Sequence, residues 1–185
     1  MKHSLASCQD ILPLYSAEGE IPSNNIVHTL IYSGTRHWTL KVLEVLDRAC
    51  GTGGETLAPE SKFTRRYHAC TGELDKKDVI SDFMLDKFSV ISSTLALGMG
   101  QNWKSVRQVI HLGRGDPSLI SQMIGRAGHD GKPSLAILFM EPTRKGGKNS
   151  TGAFSPGLVY DDEDRMDALA LTPVCLRVAL AVDKL

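Results

Sequence analysis

Between residues 25 and 140 the sequence alternates short apolar, β-branched runs with longer stretches in which apolar residues recur every three or four positions. Strands without a polar side must be buried on both faces, so this alternation constrains the chain to a parallel sheet covered by helices. The order along the chain is strand, helix, strand, helix, strand, strand, helix, strand. Residues 25–32 form the first strand. Thr35 or Ser33 caps a helix reaching about Arg48, with Trp38, Val42, Val45 and Leu46 turned inward. A loop rich in glycine, threonine and proline covers about residues 50–61, and residues 63–69 form a short strand. Thr71 caps a helix over about residues 74–88, where Val79, Ile80, Phe83 and Met84 recur at helical spacing. Residues 90–93, 107–112 and 135–140 supply the remaining strands. Ligands of open α/β sheets gather where strands end and loops begin, which places Ser33, Thr94 and residues 98–102 on that rim.

The stretch Gln122-Met123-Ile124-Gly125-Arg126-Ala127-Gly128-His129-Asp130-Gly131 sets an arginine between glycines at the end of a helix. Asp116 is suited to the N-cap and Pro117 to the first helical position, so the helix is expected over about residues 117–127, ending at Gly128. Gln122, Arg126 and His129 would then share one face. An arginine fork grips phosphate oxygens at two points, and glycines admit close approach of a nucleotide. Equally open on these residues alone is an arginine that only neutralises helix-terminal carbonyls.

Upstream lies Ser93-Thr94-Leu95-Ala96-Leu97-Gly98-Met99-Gly100-Gln101-Asn102-Trp103, followed by Lys104-Ser105-Val106-Arg107-Gln108-Val109-Ile110-His111. Taken with the arginine segment, this block resembles motifs V and VI of superfamily 2 helicases, in the wording of the RecQ family of DNA helicases. Tyr67-His68-Ala69 matches a further RecQ element, and Leu30-Ile31-Tyr32-Ser33 with Arg36 resembles motif IV. The resemblance spans about residues 26–142.

That resemblance implies an α/β, RecA-like parallel sheet flanked by helices, with a short helical C-terminal extension. Residues 1–24 would be a lead-in, 25–142 the RecA-like helicase C-terminal domain, 143–160 a flexible linker and 161–185 the start of a helical, zinc-binding subdomain. Only Cys175 stands at a place comparable to that subdomain's four cysteines, so no zinc is expected. The implied activity is that of an ATP-dependent 3′–5′ DNA helicase. Its ATP and Mg2+ sit at a seam whose other wall is a first RecA-like domain, in cis or in trans. Gln122 and Arg126 would face the triphosphate, with Gly100 and Asn102 lining the nucleotide. Ser33, Arg36 and Thr94 would follow one strand of single-stranded or partly duplex DNA. Where the family has a second arginine, credited as the arginine finger, this chain has His129. Histidine is shorter and lacks the fork, and such a finger is worth about a thousand- to a hundred-thousandfold in related phosphoryl transfers. Asn102 and Met123 replace acids of the family pattern. Little ATPase is therefore expected, and a catalytically dead nucleic-acid-binding or protein-interaction module is the alternative.

With 185 residues, 42% of them hydrophobic, the chain holds one sizeable core, whereas a helicase motor needs two such domains. Lys plus Arg and Asp plus Glu number 21 each, so a nucleic-acid surface must be local and not an overall basic field. Four scattered cysteines suit a reducing compartment, and no stretch has the apolar length of a membrane span. An intracellular location is expected, nuclear in a eukaryote. Gly146-Gly147-Lys148-Asn149 lacks the first glycine and the hydroxyl of a phosphate-binding loop. The acids at 161–164 suit a helix start better than a magnesium site. His68 and His111 read as packed histidines, and Trp103 as either core or a base-stacking surface.

Overall fold

A computed structural model describes residues 2–15, 26–97 and 103–182. Five parallel strands form one sheet in the order β2-β3-β1-β4-β5: β1 Thr29–Ser33, β2 Thr64–Tyr67, β3 Val90–Ser93, β4 Gln108–Leu112 and β5 Leu135–Phe139. The alternation of side chains along each strand divides the core in two. Ile31, Val90, Ile110 and Leu112 point to one face, where α1 (Arg36–Cys50) covers them with Val42, Val45, Leu46 and Ala49. Leu30, Tyr32, Ile91 and Val109 point to the other, under α2 (Glu73–Met84) and Trp103. Burial on both faces explains why the central strands carry no polar stripe.

Local chemistry sets the ends of α1. The Thr35 hydroxyl accepts the Trp38 amide at 3.2 Å, and Gly51 closes the helix in the left-handed conformation. Thr71, expected to cap α2, has another task. Its hydroxyl accepts the His68 amide at 3.0 Å, tying the turn after β2, and Gly72 occupies the cap position. The first strand starts later than expected, at Thr29, and the N-terminal residues contribute more than a lead-in. Leu5, Ile11 and Tyr15, on short 3-10 turns, are buried against α1.

Trp103 belongs to the core. Its ring lies 4.8 Å from that of Phe83, which also stacks on His28 at 4.4 Å and tilts against Phe88 at 5.4 Å. His111 is a packed histidine as expected, its Nδ1 3.1 Å from the Gly113 carbonyl. Burial, partly offset by that hydrogen bond, pulls its pKa down to about 4 from an ordinary value near 6.5.

The region after β5 is organised around one carboxylate. α4 (Asp162–Leu171) is capped by Asp161, which accepts the Asp164 amide at 2.8 Å, and packs Met166 and Leu169 against Ile120 of α3 (Pro117–Ile124) and Leu180 of α5 (Leu176–Val182). The Asp167 side chain is 0% exposed. It accepts from Arg114, from Arg144 Nη2 at 2.9 Å and from the Lys148 amide at 2.8 Å, and hydrogen bonding by Arg144 holds its carboxyl below the usual range. A Cβ on Gly147 would lie 2.6 Å from Asp167 Oδ2, so only glycine lets the chain pass there. Within the stretch expected as a flexible linker, residues 144–148 are thus fastened to α4. Two arginines compensate one buried negative charge, and its removal would leave both without their partner.

Two outcomes follow from the core. Urea unfolding of Asp167→Ala should show a loss of about 3 kcal/mol, the cost of breaking a buried ion pair from one side; wild-type stability would refute the assignment. For His111 the folded pKa lies below the unfolded one. Its contribution is therefore complete above pH 6.5 and is lost as the pH falls towards 4, by about 3 kcal/mol in all. His111→Asn should flatten stability against pH in that window, with His28, also lowered by burial, retaining part of the slope.

Candidate functional site

α3 leaves the carboxyl end of β4 and returns beside it. Asp116 accepts the Ser118 amide at 2.7 Å and the Leu119 amide at 3.4 Å, and Pro117 fills the first position, as its sequence signature requires. The helix stops at Ile124, three residues before the expected end. Its last carbonyls are satisfied by tightened bonds, Arg126 N–H to Met123 O at 3.1 Å and Ala127 N–H to Ile124 O at 3.2 Å. Gly128 then turns the chain at φ 77° and donates its amide to Val106 O at 3.1 Å. A Cβ there would meet Ser134 Oγ at 2.8 Å and Lys132 O at 3.1 Å. The change of winding breaks the single face expected for Gln122, Arg126 and His129. Gln122 and His129 are exposed, and Arg126 is buried at 8%.

A bidentate ion pair fastens this turn. Arg107, one residue before β4, donates Nη1 to Asp130 Oδ1 at 2.9 Å and Nη2 to Asp130 Oδ2. The same Nη1 reaches the carbonyls of Lys104 at 3.1 Å and Val106 at 3.3 Å. Bonding by the Arg107 guanidinium holds the Asp130 carboxyl below the usual range. Neither residue was singled out as functional from the sequence. The only signal was a basic residue opening a buried strand and an acid just past the glycine turn, two features 23 positions apart.

The site splits between the two ends of the sheet. The glycine turn sits at the amino end of β4, anchored to Val106 and Arg107. The Arg126 charge is felt by the buried phenol of Tyr32, whose pKa burial raises to about 12 while Arg126 pulls it the other way. The neighbours of Arg126 along the chain, Met123 and Ala127, pack on the face covered by α2 and Trp103. At the carboxyl end of the sheet stand Ser33, Thr94 and Arg36, brought together by the parallel register. Ser33 is buried and its hydroxyl is directed to the carbonyls of Thr35 and Ser93, each at 3.4 Å. Thr94 donates its amide to Tyr67 O at 3.2 Å, and its hydroxyl accepts the Ala96 amide at 3.3 Å. Arg36 is exposed at the start of α1, and Arg66 Nη2 donates to its carbonyl at 3.2 Å. Burial lowers the His68 pKa, assisted by the positive charges of Arg66 and Arg36. Gly100 and Asn102 lie outside the described residues. Among the described residues no helix is long and apolar enough to cross a membrane.

Residues 21–131 match the helicase conserved C-terminal domain family. The human ATP-dependent DNA helicase Q4 is 35% identical over 127 residues, which cover 64% of this chain and 10% of that protein. The ATP-dependent DNA helicase RecQ of Pasteurella multocida is 38% identical over 90 residues, 48% of this chain and 14% of that protein. The chain thus spans a small part of these relatives. Among solved structures, the C-terminal domain of the DEAD-box protein Dbp5 superposes with a TM-score of 0.53 at 23% identity, covering 75% of this chain and 71% of that one, which shows the fold. With the parallel sheet, the glycine turn and the family match in hand, the chain belongs to the helicase conserved C-terminal domain family, in its RecQ-like form.

Proposed function

We propose that this domain forms one wall of an ATP-hydrolysing seam in a RecQ-like 3′–5′ DNA helicase, the other wall being a first RecA-like domain that holds the triphosphate and Mg2+. The reading rests on one observation. The end of α3 and the turn after it carry Gln122, Arg126 and His129; the Arg107–Asp130 pair holds that turn in place, and Gln122 and His129 face outward. Preorganised groups cost no rearrangement when charge develops on a transferring phosphoryl group, which is what such a wall must supply. Gln122 contributes an amide, and Arg126, buried in the described domain, would have to turn outward for its permanent charge to stand beside the nucleotide. Gly100 and Asn102 would line the nucleotide, while Ser33, Arg36 and Thr94 track one DNA strand through its phosphates without reading bases. The names of the relatives, ATP-dependent DNA helicases, support ATP and DNA as the ligands. In a eukaryotic cell such a domain would work in the nucleus.

His129 favours a second reading, a module that keeps the nucleic-acid surface and has lost turnover. An imidazole there cannot fork two phosphate oxygens as a guanidinium does. One experiment separates the two. In a protein joining this chain to a first motor domain, His129→Arg should raise DNA-stimulated ATP hydrolysis by at least about tenfold, part of the range an arginine finger commands. An unchanged rate, with DNA binding intact, would show that position 129 does not face the nucleotide and would favour the binding module.

A further inference from the structure

The two edges of the sheet are built differently. At β2 two outward amides, that of Thr64 and that of His68 just past the strand, are already engaged. Ser61 Oγ takes the Thr64 amide at 3.1 Å, Thr71 Oγ1 takes that of His68 at 3.0 Å, and two arginines sit within the strand. Charges and local hydrogen bonds of this kind are how natural edges avoid pairing with other chains. Among the described residues, β5 shows none of these protections. From Ser134 to Met140 the sequence Ser-Leu-Ala-Ile-Leu-Phe-Met contains no charge, proline or glycine.

The pairing of β5 with β4 fixes which of its groups are open. Leu135 donates its amide to Arg107 O at 2.8 Å and Phe139 O accepts the Gly113 amide at 2.8 Å, in the register Leu135 with Gln108 and Phe139 with Leu112. In a parallel ladder alternate residues bond to one neighbour, so Leu135, Ile137 and Phe139 face β4, and the amides and carbonyls of Ala136 and Leu138 face outward. Beside this edge lies an open groove of about 320 Å³, walled by side chains that include Ala136, Leu138, Leu169, Val174 and Leu176. Leu135 is 52% exposed although it lies in a strand of five apolar residues.

The geometry points to a second copy of this chain as the occupant, its β5 antiparallel to the first about a two-fold axis at Ile137, making one ten-stranded sheet. Three features favour self-pairing. Antiparallel registration at Ile137 sets Ala136 opposite the partner copy's Leu138 and the reverse, so the outward amide and carbonyl of each residue meet their complements. Small Ala136 leaves room for the facing leucine on the groove side, and on the other side the exposed Leu135 meets the second copy's Phe139. Beyond the strand ends, exposed Lys132, whose ammonium lies 3.9 Å from Asp130 of its own chain, comes beside the second copy's exposed Glu141, twice by symmetry. Pro133 and Pro142 bound the segment and limit pairing to this stretch.

The test is sedimentation velocity and light scattering of the full chain across a micromolar dilution series. A plateau at twice the chain mass is expected, with slowed exchange of the Ala136 and Leu138 amides as the concentration rises. Ala136→Lys should give a monomer with an unchanged circular dichroism spectrum. Lys132→Glu, away from the core, should raise the dissociation constant roughly tenfold by opposing like charges, and Lys132→Glu with Glu141→Lys should recover it. A monomer at every concentration would overturn the proposal. So would open-ended aggregation without a dimer plateau, or a dimer insensitive to both substitutions. Loss of dimerisation by Lys132→Glu that the double exchange fails to restore would refute the register.

Discussion

The bidentate contact between Arg107 and Asp130 joins two stretches that the sheet would otherwise leave independent. A strand in a parallel sheet cannot turn back on itself, so the chain after β4 must return along α3 before β5 can begin. The end of that return is a sequence of glycines with little side-chain packing of its own. The fork of Arg107 closes it onto the start of β4, where Gly128 also bonds Val106. Both partners are partly exposed, so solvent screening leaves this pair a small role in stability. Its value is geometric. Two parallel hydrogen bonds fix the orientation of the turn as a single point contact could not.

Much of this fold was legible in the sequence because burial on both faces leaves a strong pattern. The strand at Val90–Ser93 coincides with its apolar run, Asp116 caps α3 where its sequence signature places it, and of the two caps open for α1, Thr35 and Ser33, the first is used. What was not legible depended on competition between neighbours or on distance in the chain. Thr71 can satisfy a helix amide or the His68 amide, and only the turn after β2 decides. α3 ends early because Gly125 and Gly128 favour a tightened turn over a last helical one, a choice that apolar spacing does not record. Leu5, Ile11 and Tyr15 have no periodicity long enough to announce that they seal the α1 face.

The candidate site was legible in its residues more than in its arrangement. Gln122, Arg126 and His129 form a group along the chain, yet the tightened turn sends one inward and leaves two outside. The Ser33, Arg36 and Thr94 set does converge on one rim, because parallel strands bring their carboxyl ends together. Asp167, whose two arginine partners lie 53 and 23 residues away, had no local signature. It read as one more acid on a charged helix, and only the packing of α4 against α3 makes it a buried hub.

If the Arg107–Asp130 contact aims the glycine turn, its charge order should matter less than its closure. The most direct measurement is ATP turnover by this chain joined to a first motor domain and carrying His129→Arg, with Arg107→Asp and Asp130→Arg introduced singly and together. Each single change should depress turnover strongly while the thermal unfolding midpoint moves little, and the double exchange should recover part of the rate, since an aspartate at 107 cannot renew the bonds to the Lys104 and Val106 carbonyls. Full turnover in both folded single variants would contradict the role assigned to the contact.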